Sequence, residues 1–223
     1  MNIGRAILST ILLIVASALV ELWAIIPIVD KQLVHIARYY NFINGLLTLT
    51  LVYFFVKRFR LKDGALILST PVYWYLIAIG LAVLFIFAIG PLSTLFREII
   101  GIKPKVVTHT HPGNFPYTFY YFNFIAAAII APIKEELFFR EFQQKWLHQK
   151  HSPIVVIIAN ALLFAAVHLP LVSWAFGTSN DHGRQAFIVF FGALLIGFVY
   201  HKSKSVGPAI ALHMAWNTLV TFY

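Results

Sequence analysis

The sequence predicts an all-α, polytopic transmembrane helical bundle of about seven spans, and three observations lead there. Apolar residues make up 60% of the 223 and charged residues only 11%, against about 25% charged in a soluble domain. The apolar residues gather into stretches at 6–29, 41–56, 71–90, 118–139, 153–169, 185–200 and 206–222, close to the ~20 residues that a bilayer crossing needs. None shows the alternation of a membrane strand, and in a bilayer, where free N–H and C=O groups find no partner, the backbone is then helical.

The first stretch follows Met1-Asn2-Ile3-Gly4-Arg5 without a small-residue cleavage site, so it reads as a retained span, with Glu21 placed to cap or pair with a neighbouring helix. The second ends in the basic run Lys57-Arg58-Phe59-Arg60-Leu61-Lys62. The third stops at Pro91, where a long connection to Pro116 begins. That connection contains Thr108-His109-Thr110-His111, whose two histidines would need further ligands to hold a metal and read as part of a solvated loop. Aromatics from Tyr117 to Phe124 open the fourth stretch as an interfacial belt. Asn123 there and Asn160 in the fifth can join helices by hydrogen bonds. In the sixth, Ala193 and Gly197 have the small-residue spacing of close helix packing, and His201 sits with Lys202 and Lys204 in a polar turn. The whole reads as one domain, 1–223, with N-terminal spans and a loop over 1–117 and a core over 118–223.

Charge and composition exclude several classes of function. There is no cysteine, which removes disulfides, Cys-ligated zinc, iron–sulfur clusters and a thiol nucleophile. The net charge of +9 would point to nucleic acid in a soluble protein, but here Lys and Arg collect in short loops between spans, where they set orientation. With seven spans, nine positive residues fall on the side of the N-terminus and six on the other, which favours a cytoplasmic N-terminus.

Ionisable groups inside spans are costly and mark function by default. In Pro132-Ile133-Lys134-Glu135-Glu136-Leu137-Phe138-Phe139-Arg140, Glu136 and Arg140 are four apart and share a helix face, which suits a bidentate ion pair. Glu135, turned about 100° around the helix, is left free, so one carboxylate is assigned to structure and the other to proton transfer. Pro132 frees a backbone carbonyl one turn earlier and kinks the helix. The bland account is that Glu135 and Glu136 mark an interface, since Glu141, Gln143, Gln144 and Lys145 follow. In Phe164-Ala165-Ala166-Val167-His168, the histidine ends an apolar span. If Leu147 to Pro153 is a hairpin turn, Glu135 and His168 stand roughly 20 and 22 Å from it at 1.5 Å per residue, so they reach the same height. In the last span His213 and Asn217, four apart, offer two hydrogen-bond donors from one face.

Taken in order, Glu135-Glu136-x-x-x-Arg140, Phe164-x-x-x-His168 and His213-x-x-x-Asn217 resemble the three motifs of the CPBP family, the CAAX prenyl protease and bacteriocin-processing group also called Abi. The resemblance covers about 90 residues, Ile130 to Leu219, and departs at Glu141, where many members have Gly. It implies an intramembrane peptidase whose site is built by the last four spans, in which Glu135 and His168 activate a water, His213 and Asn217 stabilise the oxyanion, and Glu136 and Arg140 support the site. No cofactor is then needed. The alternative is a zinc version with Glu135, His168 and His213 as ligands, although the HExxH helix of zincins is missing. The expected partners are membrane lipid and a peptide or lipidated-protein substrate, with no nucleic acid, in a bacterial plasma membrane. Competing readings are a transporter, for which inverted repeats are lacking, and an immunity protein that binds a peptide bacteriocin without cutting it.

Overall fold

A computed structural model describes residues 1–22, 36, 39–61, 70–101, 117–170 and 183–222. Seven helices cover them: α1 (Ile3–Glu21), α2 (Tyr40–Phe59), α3 (Tyr73–Ile100), α4 (117–147), α5 (Pro153–Ala166), α6 (Arg184–Ser203) and α7 (Val206–Phe222). The described residues include no strand. By length and composition α1, α2, α3 and α6 can cross a membrane, and α5 is a shorter apolar helix. Leu8, Leu12 and Leu19 of α1 and Leu76, Leu84 and Phe87 of α3 are exposed on the outside of the bundle. Such faces are costly in water and ordinary against lipid tails, so the chain is a helical membrane bundle. The Thr108–His111 segment, Lys31, Arg38, Lys62, Lys103 and Lys105 lie outside the described residues.

Two spans differ from the sequence expectation. The third does not end at Pro91: α3 carries that proline inside and runs on to Ile100, where Gly101 in the left-handed region (φ 72°) closes it by donating to the carbonyls of Arg97 and Glu98. Proline removes one hydrogen bond and is tolerated where neighbouring helices hold the segment.

The fourth span continues past Arg140 to Leu147, and it is not a uniform α-helix. Two π-helical stretches, Ala126–Ile130 and Leu137–Gln144, bracket the α-helical Ala131–Glu136. Each π turn lengthens the hydrogen-bond ring by a residue and often marks a functional site. Pro132 explains part of this. It has no N–H to give, and the carbonyl five residues earlier, that of Ala127, receives instead the side-chain amide of Asn217 from α7 at 2.8 Å. The expected hairpin holds: α4 ends at Leu147 and α5 begins at Pro153.

The core lies between α2, α3, α4, α5, α6 and α7, so two N-terminal helices share it with the C-terminal four. Small residues allow the closest approaches. A Cβ on Gly192 of α6 would fall on the Trp216 ring of α7. A Cβ on Gly197 would press on the Gln144 side chain at 3.2 Å. The Ala193–Gly197 spacing therefore does more than pack helices: it exposes the α6 backbone, and Arg140 and Gln144 donate to the carbonyls of Ala193 (3.3 Å) and Gly197 (2.8 Å). Asn123 accepts from Asn41 at 2.7 Å and Glu21 accepts from Asn44 at 3.2 Å, each joining α2 to a neighbour as their positions predicted.

Candidate active site

Three helices bring the six predicted residues together: Glu135, Glu136 and Arg140 from α4, His168 two residues past the end of α5, and His213 and Asn217 from α7. Glu136 and Arg140 are wholly buried, with Arg140 Nε 3.0 Å from Glu136 Oε2. The contact is close but poorly aligned as a hydrogen bond, so its energy is mainly Coulombic. The pairing was expected, but its bidentate form is not what forms. Arg140 gives Glu136 one nitrogen only. Nη1 donates to Asn160 Oδ1 of α5 at 2.7 Å, Nη2 to the Ala193 carbonyl of α6 at 3.3 Å, and the guanidinium lies 5.0 Å over the Phe164 ring. One fully buried cation thus ties α4 to α5 and α6.

The other oxygen of Glu136 holds His213. Nδ1 of that imidazole lies 2.9 Å from Glu136 Oε1, a buried contact in which the ring N–H donates to the carboxylate. His168 is held in the same way by a different acceptor. Its Nδ1 is 2.8 Å from the Phe164 carbonyl, and its ring stacks on Phe164 with centroids 4.9 Å apart. The spacing of Phe164 and His168 therefore has a local cause, since the phenylalanine supplies both the acceptor and the stacking face.

With both Nδ1 atoms committed as donors, each neutral ring turns a lone pair outward on Nε2. Both point to one place. Glu135 Oε2 is 4.0 Å from His168 Nε2 and 3.9 Å from His213 Nε2. Three acceptors face a common gap with no direct hydrogen bond among them, so the gap calls for a donor or a cation. A water with hydrogen bonds of about 2.8 Å spans 4 Å at roughly a right angle. A zinc ion with bonds of about 2.1 Å and tetrahedral angles would set its ligands about 3.4 Å apart, so these ligands would have to close by about half an ångström. The donor set itself suits zinc, because the far nitrogens of both rings are anchored on a carbonyl and a carboxylate, as they are in zinc sites.

Glu135 and His168 also form a partition. On one side lies a cavity of about 490 Å³ whose walls include His213, Asn217, Trp216 and Arg184. On the other lies one of about 370 Å³ toward α1, with Lys134 and Glu21 on its rim. Asn217 faces the first of these, and one hydrogen of its amide is taken by the Ala127 carbonyl, so a single N–H remains to meet a ligand.

On the bland account the polar residues after Arg140 mark an interface. Instead Gln143 and Gln144 are fully buried. Asn160 donates to Gln143 Oε1 at 3.2 Å, and Gln143 Nε2 lies within 3.0 Å of three α1 acceptors, the Ala6 carbonyl, Ser9 Oγ and Thr10 Oγ1. A chain of polar contacts therefore runs from α1 through Gln143, Asn160, Arg140 and Glu136 to His213. The signal was present: Gln143 is seven residues after Glu136 and three after Arg140, on the same helical face. Glu141, the departure from the motif, pairs with Lys145 at 3.0 Å on another face.

Comparison with known proteins agrees with the motifs. The chain is similar to the UPF0177 protein YbdI of Lactococcus lactis subsp. lactis (strain IL1403), with 26% identity over 131 residues that cover 58% of this chain and 65% of that relative. No solved structure matches. Residues 117–219 match the Rce1-like family, described as type II CAAX prenyl endopeptidase Rce1-like. This stretch holds all six residues of the constellation, and its similarity to the Rce1-like family bears out the CPBP resemblance of the three motifs.

Proposed function

We propose that the chain is an intramembrane endopeptidase that hydrolyses a peptide bond of a membrane-associated peptide or lipidated protein. The observation that carries this reading is the convergence of Glu135 Oε2 with the two Nε2 atoms beside the larger cavity. Glu135 is the general base, taking a proton from a water that His168 Nε2 also orients, as the water oxygen attacks the carbonyl carbon. For this step His213 takes up one further proton from solvent on Nε2, offset by the Glu136 carboxylate 2.9 Å from Nδ1, so that its Nε2–H and the remaining N–H of Asn217 meet the new oxyanion. Collapse of the tetrahedral species breaks the C–N bond, and the proton on Glu135 passes to the leaving amine. Glu136 and Arg140 hold the geometry.

The reaction so written needs no metal. A zinc version with Glu135, His168 and His213 as ligands is favoured by their anchored Nδ1 atoms, and chelation with elemental analysis separates the two: activity lost on chelation and restored by zinc overturns the metal-free mechanism. The bacterial plasma membrane, with a cytoplasmic N-terminus, is the proposed location. As the chain has no cysteine, single cysteines introduced in the 149–152 turn report its side directly, and labelling from outside intact cells overturns that orientation.

The activity test uses protein in liposomes with a farnesylated reporter peptide and a panel of apolar peptides. Glu135→Gln, with folding verified, is expected to lose about 10²–10⁴-fold in rate. Full cleavage by that variant sinks the assignment. If the wild type protects cells from a peptide bacteriocin and Glu135→Gln protects equally, the chain acts by binding.

A further inference from the structure

At the C-terminal end of α4, beyond Glu135, a third cavity of about 370 Å³ opens between the α4–α5 turn and the α6–α7 turn, walled by Lys145, His148, His151, Tyr200, His201 and Lys204, with Pro153 at its edge. Nothing in the proposed hydrolysis uses it. We propose that this cavity binds a phosphate group, carried by an anionic lipid headgroup or free in solution.

The lining offers almost entirely donors. The Lys204 ammonium lies 3.5 Å from His201 Nδ1, so that nitrogen accepts and Nε2 of His201 carries the proton. The Gln144 amide lies 3.4 Å from His148 Nε2, so His148 in turn carries its proton on Nδ1. The two rings face each other at 5.0 Å, and His151 Nε2 is buried with no partner. Among the described residues the carboxylate nearby is Glu141, which is occupied by Lys145 at 3.0 Å. Beside them the first turn of α5, starting at Pro153 without a side-chain cap from Ser152, adds its unbonded N–H groups and the positive end of the helix. A metal cation would meet this cluster badly, because a Lys ammonium sits against the histidine it would need.

Lys204 supplies a second line of support. It stands at the C-cap of α6 with φ 58°, the left-handed region where Gly or Asn is favoured and a side chain with a Cβ is strained. Among the described residues it is the one non-glycine with positive φ. Strain held at a side chain that lines a cavity is the pattern of a functional position. This end of the bundle also bears Lys150 and Lys202, and on the cytoplasmic face, where the charge distribution puts it, anionic lipids attract basic clusters.

The test uses the full chain in nonionic detergent, with tryptophan-fluorescence melting followed against inorganic phosphate, against short-chain phosphatidylglycerol, and against sodium chloride at matched ionic strength. A saturable rise in melting temperature with phosphate, with phosphatidylglycerol or with both is expected, and none with chloride. A response to the lipid alone identifies a headgroup, and a response to phosphate alone a free anion. Lys204→Asn relieves the backbone strain, so the unliganded variant is expected to melt at or above the wild type while binding at least about tenfold more weakly, the effect of one charge-assisted bond. His201→Gln provides a second loss with no change in backbone. Lys202→Gln removes the same charge from a residue that lies over Phe198 and outside the cavity, and is expected to leave binding within about twofold. No saturable response to either ligand overturns the proposal, as does equal weakening by Lys202→Gln and Lys204→Asn, or unchanged binding in Lys204→Asn and His201→Gln.

Discussion

Replacing Glu136 by Gln changes one charge and almost no shape, and its consequences fall on stability before chemistry. In the wild type one oxygen faces Arg140 Nε at 3.0 Å and the other faces His213 Nδ1 at 2.9 Å. An amide offers one acceptor and one donor. In the first orientation its NH₂ meets the Arg140 N–H, donor against donor, and the buried guanidinium keeps its charge without a counter-charge. In the second the NH₂ meets His213 Nδ1 and drives the ring proton to Nε2, which reverses what that histidine presents to Glu135. Removing one partner of a buried pair costs about 3–5 kcal/mol, which for a chain of this size lowers the melting temperature by on the order of 10 °C. Glu135→Gln is the control. That residue makes no direct hydrogen bond to its two histidines and lies at a cavity wall, so its change in stability is expected within about 0.5 kcal/mol while cleavage is lost. Tryptophan-fluorescence melting in micelles measures both. Adding Arg140→Met to Glu136→Gln removes the stranded charge and recovers part of the loss. If Glu136→Gln melts with the wild type, or Glu135→Gln is the variant that unfolds, the division of labour between the two glutamates is wrong.

Three further predictions follow from other contacts. Asn160→Ala removes the acceptor of Arg140 Nη1 and the donor to Gln143 Oε1, a loss of about 3 kcal/mol, with kcat falling while KM holds; an unchanged melting temperature would break the proposed chain from α1 to His213. Gly192→Ala puts a methyl group into the Trp216 ring, which also packs edge-on to Phe85 at 5.0 Å. It is expected to cost about 1–3 kcal/mol and to shift the helix turn that carries Asn217, visible as reduced melting temperature and cleavage together. His148 is held down to about 4 from 6.5 by burial, with His201 and Lys204 adding to the effect. An unfolded chain therefore binds the proton first, so the stability present above about pH 6.5 is lost as pH falls toward 4. After discounting for partial exposure, that loss is about 1–2 kcal/mol. His148→Gln should flatten the acid side of the melting-temperature profile, and an unchanged slope would refute it.

The spans, the all-α class, the hairpin between α4 and α5 and the six residues of the constellation were legible in the chain itself. Each depends on local rules: the bilayer demands apolar length and internal hydrogen bonds, and 1.5 Å per residue sets the heights of Glu135 and His168. Long-range choices were not legible. Pro91 reads as a helix end because its missing N–H is a local fact, whereas the neighbours that tolerate it belong to the fold. Glu136 and Arg140 could be paired by spacing, yet nothing local says that Arg140 spends its other nitrogens on Asn160 and the Ala193 carbonyl, or that Glu136 has a second partner in His213. Only tertiary structure brings Asn217 to the carbonyl that Pro132 leaves free, buries Gln143 and Gln144 among α1 and α6, and turns two Nε2 lone pairs toward one carboxylate. The physical reason is that a buried polar group must find a partner somewhere, and which partner depends on the packing of helices far apart in sequence.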